Sequence, residues 1–317
     1  MGSPKSWFQE NISKYQQQSE LLQERSSTIS GVRLAVFVLF VILSVVFVND
    51  GNWPGFITVC VVFTGGFVLL VKRHQRIKRQ KDISDLLIKL NHDELKRLSL
   101  ELNSFPEGNE YIVDQHPNCV DLDLFGAHSI FQWLNRTVTK GGEQVLADAL
   151  LNPASFEEIK KRQNAIKELG SNPGWIQNFQ ANGLVHKGHQ NETETLLEWV
   201  NNTEKLPSWL IPALAVMPVV SIGFSLAYFS GVIIESVALL PLIVNGLLLS
   251  RVHPIAKRTY DQTYHCISTL SSYEAMIACV EESTFQSKLL NQLWQPFVSA
   301  EHKASRSILR LKNILSK

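Results

Sequence analysis

Two apolar runs constrain this chain more than any other feature. Gly31 to Val48 is broken only by Arg33 and Ser44, and Pro54 to Val71 follows after the linker Asn49-Asp50-Gly51-Asn52-Trp53. At 1.5 Å per residue each run reaches about the ~30 Å thickness of a hydrocarbon core. The linker carries one acid and no base. The second run opens directly onto KRHQRIKRQK, which supplies Lys72, Arg73, Arg76, Lys78, Arg79 and Lys81. By the positive-inside rule both ends of such a hairpin lie in the cytoplasm. A basic run beside a span meets lipid headgroups before it meets nucleic acid, so these six residues are candidate lipid-phosphate contacts and membrane lipids are an expected partner. A cleaved signal peptide does not fit, because a second apolar run follows at once with no cleavage pattern between.

A second apolar pair lies further on. Leu206 to Phe229 contains Pro207, Pro212 and Pro218, and Gly231 to Leu249 follows a short Ser230-Gly231 turn. Prolines are tolerated in membrane helices better than in soluble ones. Glu235 is the one charge inside, and a single carboxylate makes no ion path, which argues against a transporter. Arg251, His253, Lys257 and Arg258 then place this end in the cytoplasm too. A soluble buried hairpin is the alternative that the prolines and the basic flank disfavour. The expectation is four spans in two hairpins, a multi-pass protein of the cell (inner) membrane with N- and C-termini cytoplasmic.

Composition excludes several function classes. The 317 residues are 45% hydrophobic with a formal net charge of +1, unlike the basic balance of a general nucleic-acid binder. Cys60, Cys119, Cys266 and Cys279 are scattered without a C-x-x-C pair and read as free thiols in a reducing compartment. His116 and Cys119 stand three apart without a second ligand pair, and His186, His189, Glu192 and Glu194 sit in a polar loop without regular spacing, so neither is assigned a metal. No G-x-x-x-x-G-K-[ST] occurs, and no Ser-His-Asp, Cys-His or paired-carboxylate arrangement can be defended from spacing. No catalytic, cofactor or metal residue is therefore assigned. Met1-Gly2 with Ser6 fits a myristoylation pattern only in a eukaryotic host.

The remaining segments carry helical grammar. Phe8, Ile12, Tyr15 and Leu22 fall on one helical face of the Gln-rich N-terminus. Ile83, Leu86, Leu87 and Leu90 form another, and Asn91 with Glu94 reads as a capping box opening a further turn of helix. Tyr111 to Val113 reads as a short strand. Asp121 and Asp123 alternate with Leu122, Leu124 and Phe125, whose side chains are expected on one face before Gly126 breaks the run. Ile130, Phe131 and Leu134 recur at helical spacing. Thr139 caps a helix opening at Gly141-Gly142 and ended by Asn152-Pro153, with Val145, Leu146, Ala149 and Leu150 on its expected buried face. Ser155 and Glu158 cap the next, with Phe156, Ile159, Ile166 and Leu169 expected inside and Gly170 closing it. Asn172-Pro173-Gly174 is a turn before a helix begun by Trp175, Ile176 and Phe179. Thr195 and Glu198 cap another. Tyr260 to Lys317 is helical and amphipathic, ending in a basic helix with Ile308, Leu311 and Leu315 on one face.

The segment LDLFGAHSIFQWLNRTVTKGGEQVLADALLNP resembles the start of the core, or lever, domain of MutS-type proteins. Members carry an L-x-R-T-x-T-x-x-G segment and then a helix ending L-L-x-P. Here these positions are Leu134, Arg136, Thr137, Thr139, Gly142, Leu150, Leu151 and Pro153. The following EEIKKRQNAIKEL is similar to the family's next helix at Ile159, Arg162, Gln163, Ala165, Ile166, Glu168 and Leu169. The likeness is strongest to membrane-bound bacterial members and covers roughly residues 82–200. It makes Arg136, Thr137, Thr139, Lys140 and Gly142 candidate core-turn residues, none of them catalytic.

The expected fold class is all-α: a MutS core-like helical domain preceded and interrupted by transmembrane hairpins. The expected organisation is a cytosolic amphipathic segment over 1–30, a first hairpin over 31–72, a basic flank and connecting helices over 73–110, core helices over 111–205, a second hairpin over 206–250 and return helices over 251–317. The resemblance implies ATP-dependent binding of mismatched or distorted DNA, so DNA is an implied partner. ATP and Mg would enter only with the C-terminal ATPase domain of the family, through which homodimers are also implied. That domain would begin where this chain stops, so the expectation is an N-terminal fragment, with an ATPase-less variant as the alternative. A different class, a multi-pass membrane scaffold whose cytosolic helices bind a protein partner, is the competing expectation.

Overall fold

In the computed structural model, residues 3–113, 116, 118–185, 210–298 and 303–315 are described, and all regular structure among them is helical. The helices are α1 (Pro4–Asn49), α2 (Trp53–Leu98), α3 (Ile130–Leu134), α4 (Lys140–Leu151), α5 (Phe156–Gly170), α6 (Pro173–Leu184), α7 (Leu210–Phe229), α8 (Glu235–Glu281), α9 (Lys288–Val298) and α10 (Ala304–Leu315). The chain divides into two compact units. One joins Met1–His186 to Ser272–Ser305, and the other joins Lys187–Ser271 to Arg306–Lys317.

The first unit is built on α1 and α2, each 46 residues long. That is about 69 Å apiece, more than twice a hydrocarbon core of about 30 Å. The amphipathic N-terminus and the first apolar run are therefore one helix, and the second run, the basic flank and the Ile83–Leu90 face are another. Pro4 and Pro54 open the two helices in the first turn, where a missing N–H costs nothing. The Asn52 side chain caps α2 by accepting from the Gly55 N–H at 3.0 Å.

The two helices pack antiparallel. Near their bases the Ser19 hydroxyl donates to Asp85, and Ile12, Leu22 and Leu87 are buried. Toward the tip, Phe40 stacks on Phe63 with centroids 4.1 Å apart, and Phe63 stacks on Phe67 at 5.2 Å. The Arg33 guanidinium lies over Phe67 at 5.3 Å. No residue in the apolar stretch of either helix is fully buried within the protein, and both helices are long and apolar enough to cross a membrane.

The base of the hairpin carries a small helical domain. Tyr111, Cys119, Leu124, Phe125, Phe131 and Ala147 form its core, with Leu146, Leu150 and Leu151 packed against it. Tyr111, Phe125 and Phe131 contact one another with centroids 5.4–5.9 Å apart. Gly108 makes that cluster possible. It sits at φ +70°, and a Cβ there would come 2.6 Å from the Phe131 ring.

Several expectations are corrected here. Tyr111 to Val113 is no strand: a 3₁₀ turn runs Asn109–Tyr111, and so short an apolar run finds no strand to pair with among the described residues. Asn91 opens no new helix, since it lies inside α2 with its side chain buried. On α4 the buried residue is Ala147, while Val145 and Ala149 face outward. On α5 it is Ala165, and Phe156 and Ile166 are 72% and 67% exposed. On α6 it includes Ala181. On α4 and α5 the fully buried positions are alanines; Leu146 and Leu150, expected inside, pack partly buried against the core, while Val145, Phe156 and Ile166 are more exposed. Leu122 is likewise exposed, while Leu124 and Phe125 carry the core. Gly170 is the last residue of α5, whose C-cap is Ser171.

Caps explain the remaining boundaries of this unit. Ser129, Thr139, Ser155 and Asn172 each accept a backbone N–H at the start of α3, α4, α5 and α6. The return segment is tied back through α5 and α6. Glu168 accepts from the backbone N–H groups of Gln286 and Ser287 at 2.7 and 2.6 Å, just ahead of α9. Trp175 Nε1 donates to Ser283 Oγ at 2.7 Å, and Glu281 accepts from the N–H and hydroxyl of Ser305.

In the second unit α7 and the first part of α8 are apolar, over Val216–Ser225 and Leu239–Pro254. Asn245 Nδ2 donates to Ser221 Oγ at 2.6 Å, linking the two helices. Gly231 turns between them at φ +76°, and α8 starts at Glu235, four residues later than the sequence run suggests. The His186–Glu194 cluster, the Thr195 cap and the Met1-Gly2 pattern lie outside the described residues.

Candidate functional site

The five core-turn residues converge on one joint between α2, the Asn135–Thr139 segment and the start of α4. Glu94 on α2 is its centre. Arg136 grips that carboxylate with both arms of its fork, Nε to Oε1 at 2.8 Å and Nη2 to Oε2 at 2.7 Å. Arg97, one helical turn on, donates from Nη1 to Glu94 Oε1 at 3.1 Å and from Nη2 to the Asn135 carbonyl at 2.9 Å. Its guanidinium stacks over Phe105 at 3.9 Å. The Arg136 Nη1 also reaches the carbonyls of Trp133 and Leu134, both at 3.1 Å, closing the end of α3.

The threonines shape the backbone. Asn135 Oδ1 accepts from the N–H and hydroxyl of Thr137 at 3.0 and 2.7 Å, an Asx turn. Thr139 Oγ1 accepts from Gly142 N at 3.1 Å and caps α4, which begins at Lys140, ahead of the glycine pair. Lys140 bonds Glu110 at 2.6 Å and Glu143 at 3.0 Å and lies over the Tyr111 ring at 5.2 Å. Its ammonium is held well above the usual lysine range, chiefly by the Glu110 hydrogen bond. Glu110 is correspondingly lowered by that bond. Burial pulls the Arg97 guanidinium below its ordinary value and Arg136 pushes the same way, while Glu94 opposes both.

Every side chain of the joint is thus engaged within the protein. Arg136, Thr137, Thr139 and Lys140 brace the turn and leave no cluster aimed at a ligand. Glu94, Arg97 and Asn135 carry as much of the joint as the expected residues do. Glu94 and Arg97 stand three positions apart, the ordinary spacing of a solvated helical pair, so sequence alone gave no sign that Arg97 is buried against a half-buried Glu94.

Beside the joint lies a second buried polar pair. Asn91 and Gln177 exchange two amide hydrogen bonds, at 3.2 and 3.0 Å, between α2 and α6. Asn91 Nδ2 also donates to the Leu87 carbonyl at 2.7 Å.

The basic flank is arranged differently. Lys72, Arg73, Arg76, Lys78 and Arg79 are exposed, and among the described residues no carboxylate pairs with any of them. Lys72, Arg76 and Arg79 recur at i, i+4 and i+7 on one stripe of α2, with Arg73 alongside. Lys81 is set apart, bonded at 2.7 Å to Asp85. His116 is engaged on both ring nitrogens, with the Leu151 carbonyl at 2.8 Å and the Asn118 N–H at 3.3 Å, while Cys119 is in the core. No group of His, Cys, Asp and Glu among the described residues is placed to hold a metal ion. No protein-family model, no curated protein and no solved structure matches the chain.

Proposed function

We propose that this chain is a membrane-anchored helical lever of the MutS type. One observation carries the reading: the first unit is discontinuous in sequence, leaving at His186 and resuming at Ser272, and the stretch between contains a second pair of apolar helices. A lever core interrupted by an inserted segment is the organisation that the Arg136-Thr137-x-Thr139 resemblance implies. In soluble members the insertion ends in a clamp that touches DNA. Here the inserted segment contains two apolar helical stretches, with Asn245 hydrogen-bonded to Ser221 between them. The lever tips then sit in the bilayer, with both termini cytoplasmic. ATP and Mg belong to the ATPase domain of such proteins, outside these 317 residues. Its movement would act on the membrane or on membrane partners, and distorted DNA would be the cytosolic ligand. The braced joint around Glu94 supports the reading by giving the core-turn residues a mechanical role, transmitting movement between α2 and α4.

The test uses the detergent-solubilised full chain with homoduplex, mismatched and branched DNA over a salt series. Salt-dependent binding that favours distorted DNA is expected. A footprint that requires Leu206 to Leu249 would overturn the placement of the insertion in the bilayer. A scaffold is the second reading, favoured by the exposure of Leu293, Leu311 and Ile314 near the end of the chain. No DNA binding at low salt, with a protein partner co-purifying, would select it.

A further inference from the structure

The α1–α2 hairpin does not close along its whole length. An open groove of about 580 Å³ runs between the helices, walled by Phe40, Leu43, Val62 and Phe63, with Gly66 along it and Arg73 at one end. From the level of Thr58 to that of Arg73 it extends about 22 Å at 1.5 Å per residue, the scale of one extended acyl chain in a ~30 Å hydrocarbon core. Its wall is apolar until Arg73, and no acid lines it. Arg73 is exposed and pairs with no carboxylate among the described residues. Arg33 lies on the same stripe of α1 as Phe40 and Leu43, one turn beyond Val36 toward the Arg73 end, and its Nε is buried without a hydrogen-bond partner. Gly66 faces open space: a Cβ there meets nothing within 4 Å.

We propose that this groove is a binding site for one anionic phospholipid, with an acyl chain between the helices and the headgroup phosphate on Arg73, assisted by Arg33. The charge pattern selects this occupant. An apolar trough with cations at a single end matches an amphiphile of opposite charge at one end, whereas a second copy of the hairpin or another apolar helix would leave Arg73 without an anion. The inference rests on the hairpin lying in a membrane. It goes further than a diffuse attraction of basic residues to a surface, because it predicts one held lipid whose retention depends on the shape of the groove.

Gly66 and Gly65 provide the test, since both face open space and only Gly66 lines the groove. The full chain is first assigned to the membrane or soluble fraction. It is then extracted in mild detergent, offered phosphatidylglycerol or phosphatidylcholine, and weighed intact by native mass spectrometry, with circular dichroism to check that each variant keeps its helix content. Wild type and Gly65→Leu should each hold one phosphatidylglycerol per chain in preference to phosphatidylcholine. Gly66→Leu should lose at least tenfold in retention. Arg73→Gln should lose about fivefold for phosphatidylglycerol and show no headgroup preference, the size expected for one basic residue at an anionic surface. Millimolar inorganic phosphate should not displace the lipid. Displacement by phosphate would show a headgroup site without the acyl groove and overturn the proposal. A membrane-bound chain whose Gly66→Leu form holds as much lipid as wild type, or a Val62→Cys variant that holds no lipid and cross-links to a second copy, would overturn it alone. Recovery entirely in the soluble fraction would overturn the membrane reading and the lipid site together.

Discussion

Replacing Glu94 by glutamine tests whether the joint is a brace. The carboxylate receives three charge-assisted hydrogen bonds, two from Arg136 and one from Arg97. Glutamine keeps the shape and one acceptor but removes the charge, and its NH₂ must face a guanidinium. Arg97 then stands 7% exposed with no ion-paired carboxylate and only the charge of Asp93 nearby, held by the Asn135 carbonyl and the Phe105 ring. Leaving a buried charge uncompensated costs about 3–5 kcal/mol. Arg136 has a side chain 35% exposed and can turn to solvent, so its own part falls to the surface scale of about 0–1 kcal/mol. Because Arg97 keeps two partners, the total should lie at the lower end, roughly 3 kcal/mol. For a unit of this size that lowers the midpoint of thermal unfolding by about 6–12 °C. Tryptophan fluorescence of the detergent-solubilised chain reads it, with Trp133 beside the joint. Arg97→Met added to Glu94→Gln should recover much of the loss, since the orphaned charge is gone. A shift below about 1 °C for Glu94→Gln, in the range of ordinary surface substitutions, would refute the brace.

Three further outcomes follow from the geometry. Asn91→Leu alone should cost about 1–3 kcal/mol by stranding the Gln177 amide, and Asn91→Leu with Gln177→Leu should cost less than either single change, as a double-mutant cycle in denaturant would show. Gly108→Ala should destabilise by about 2 kcal/mol or more, because the left-handed backbone and the Phe131 ring both oppose a Cβ; calorimetry would check it. Glu168 is held below the usual carboxylate range by the Gln286 and Ser287 N–H groups. A lowered folded-state value gives stability that is present above the unfolded value near 4.5 and is lost as pH falls through the folded value. The amides of Gln286 and Ser287 should therefore lose hydrogen-exchange protection in acid, and Glu168→Ala should make them unprotected at every pH.

The helices were legible where capping grammar is local. Thr139 and Ser155 each cap the helix they foretell, because a cap involves residues three apart, whereas Asn172-Pro173-Gly174, expected as a turn, is the cap and first turn of α6. Burial was less legible, because periodicity names an apolar face without naming what covers it. On α4 and α5 the fully buried residues are Ala147 and Ala165, while Val145, Phe156 and Ile166 lie outside. Asn91 and Glu94 have the spacing of a capping box, yet each is held by a partner distant in sequence, Gln177 and Arg136. Such pairings are tertiary and leave no trace within a local window. The same holds for the groove, which two helices 46 residues long form between them and which Gly66 lines, a residue that looks like plain membrane composition in the sequence.

The membrane hairpin is the central claim, and its topology can be measured directly. With Cys60, Cys119, Cys266 and Cys279 replaced by serine, single cysteines at Asp50 and Glu107 are treated on intact cells with a membrane-impermeant maleimide. Asp50→Cys, at the hairpin tip, should label in intact cells, while Glu107→Cys, in the domain at its base, should label only after lysis. Equal labelling of both before lysis, or of neither until lysis, would contradict that claim.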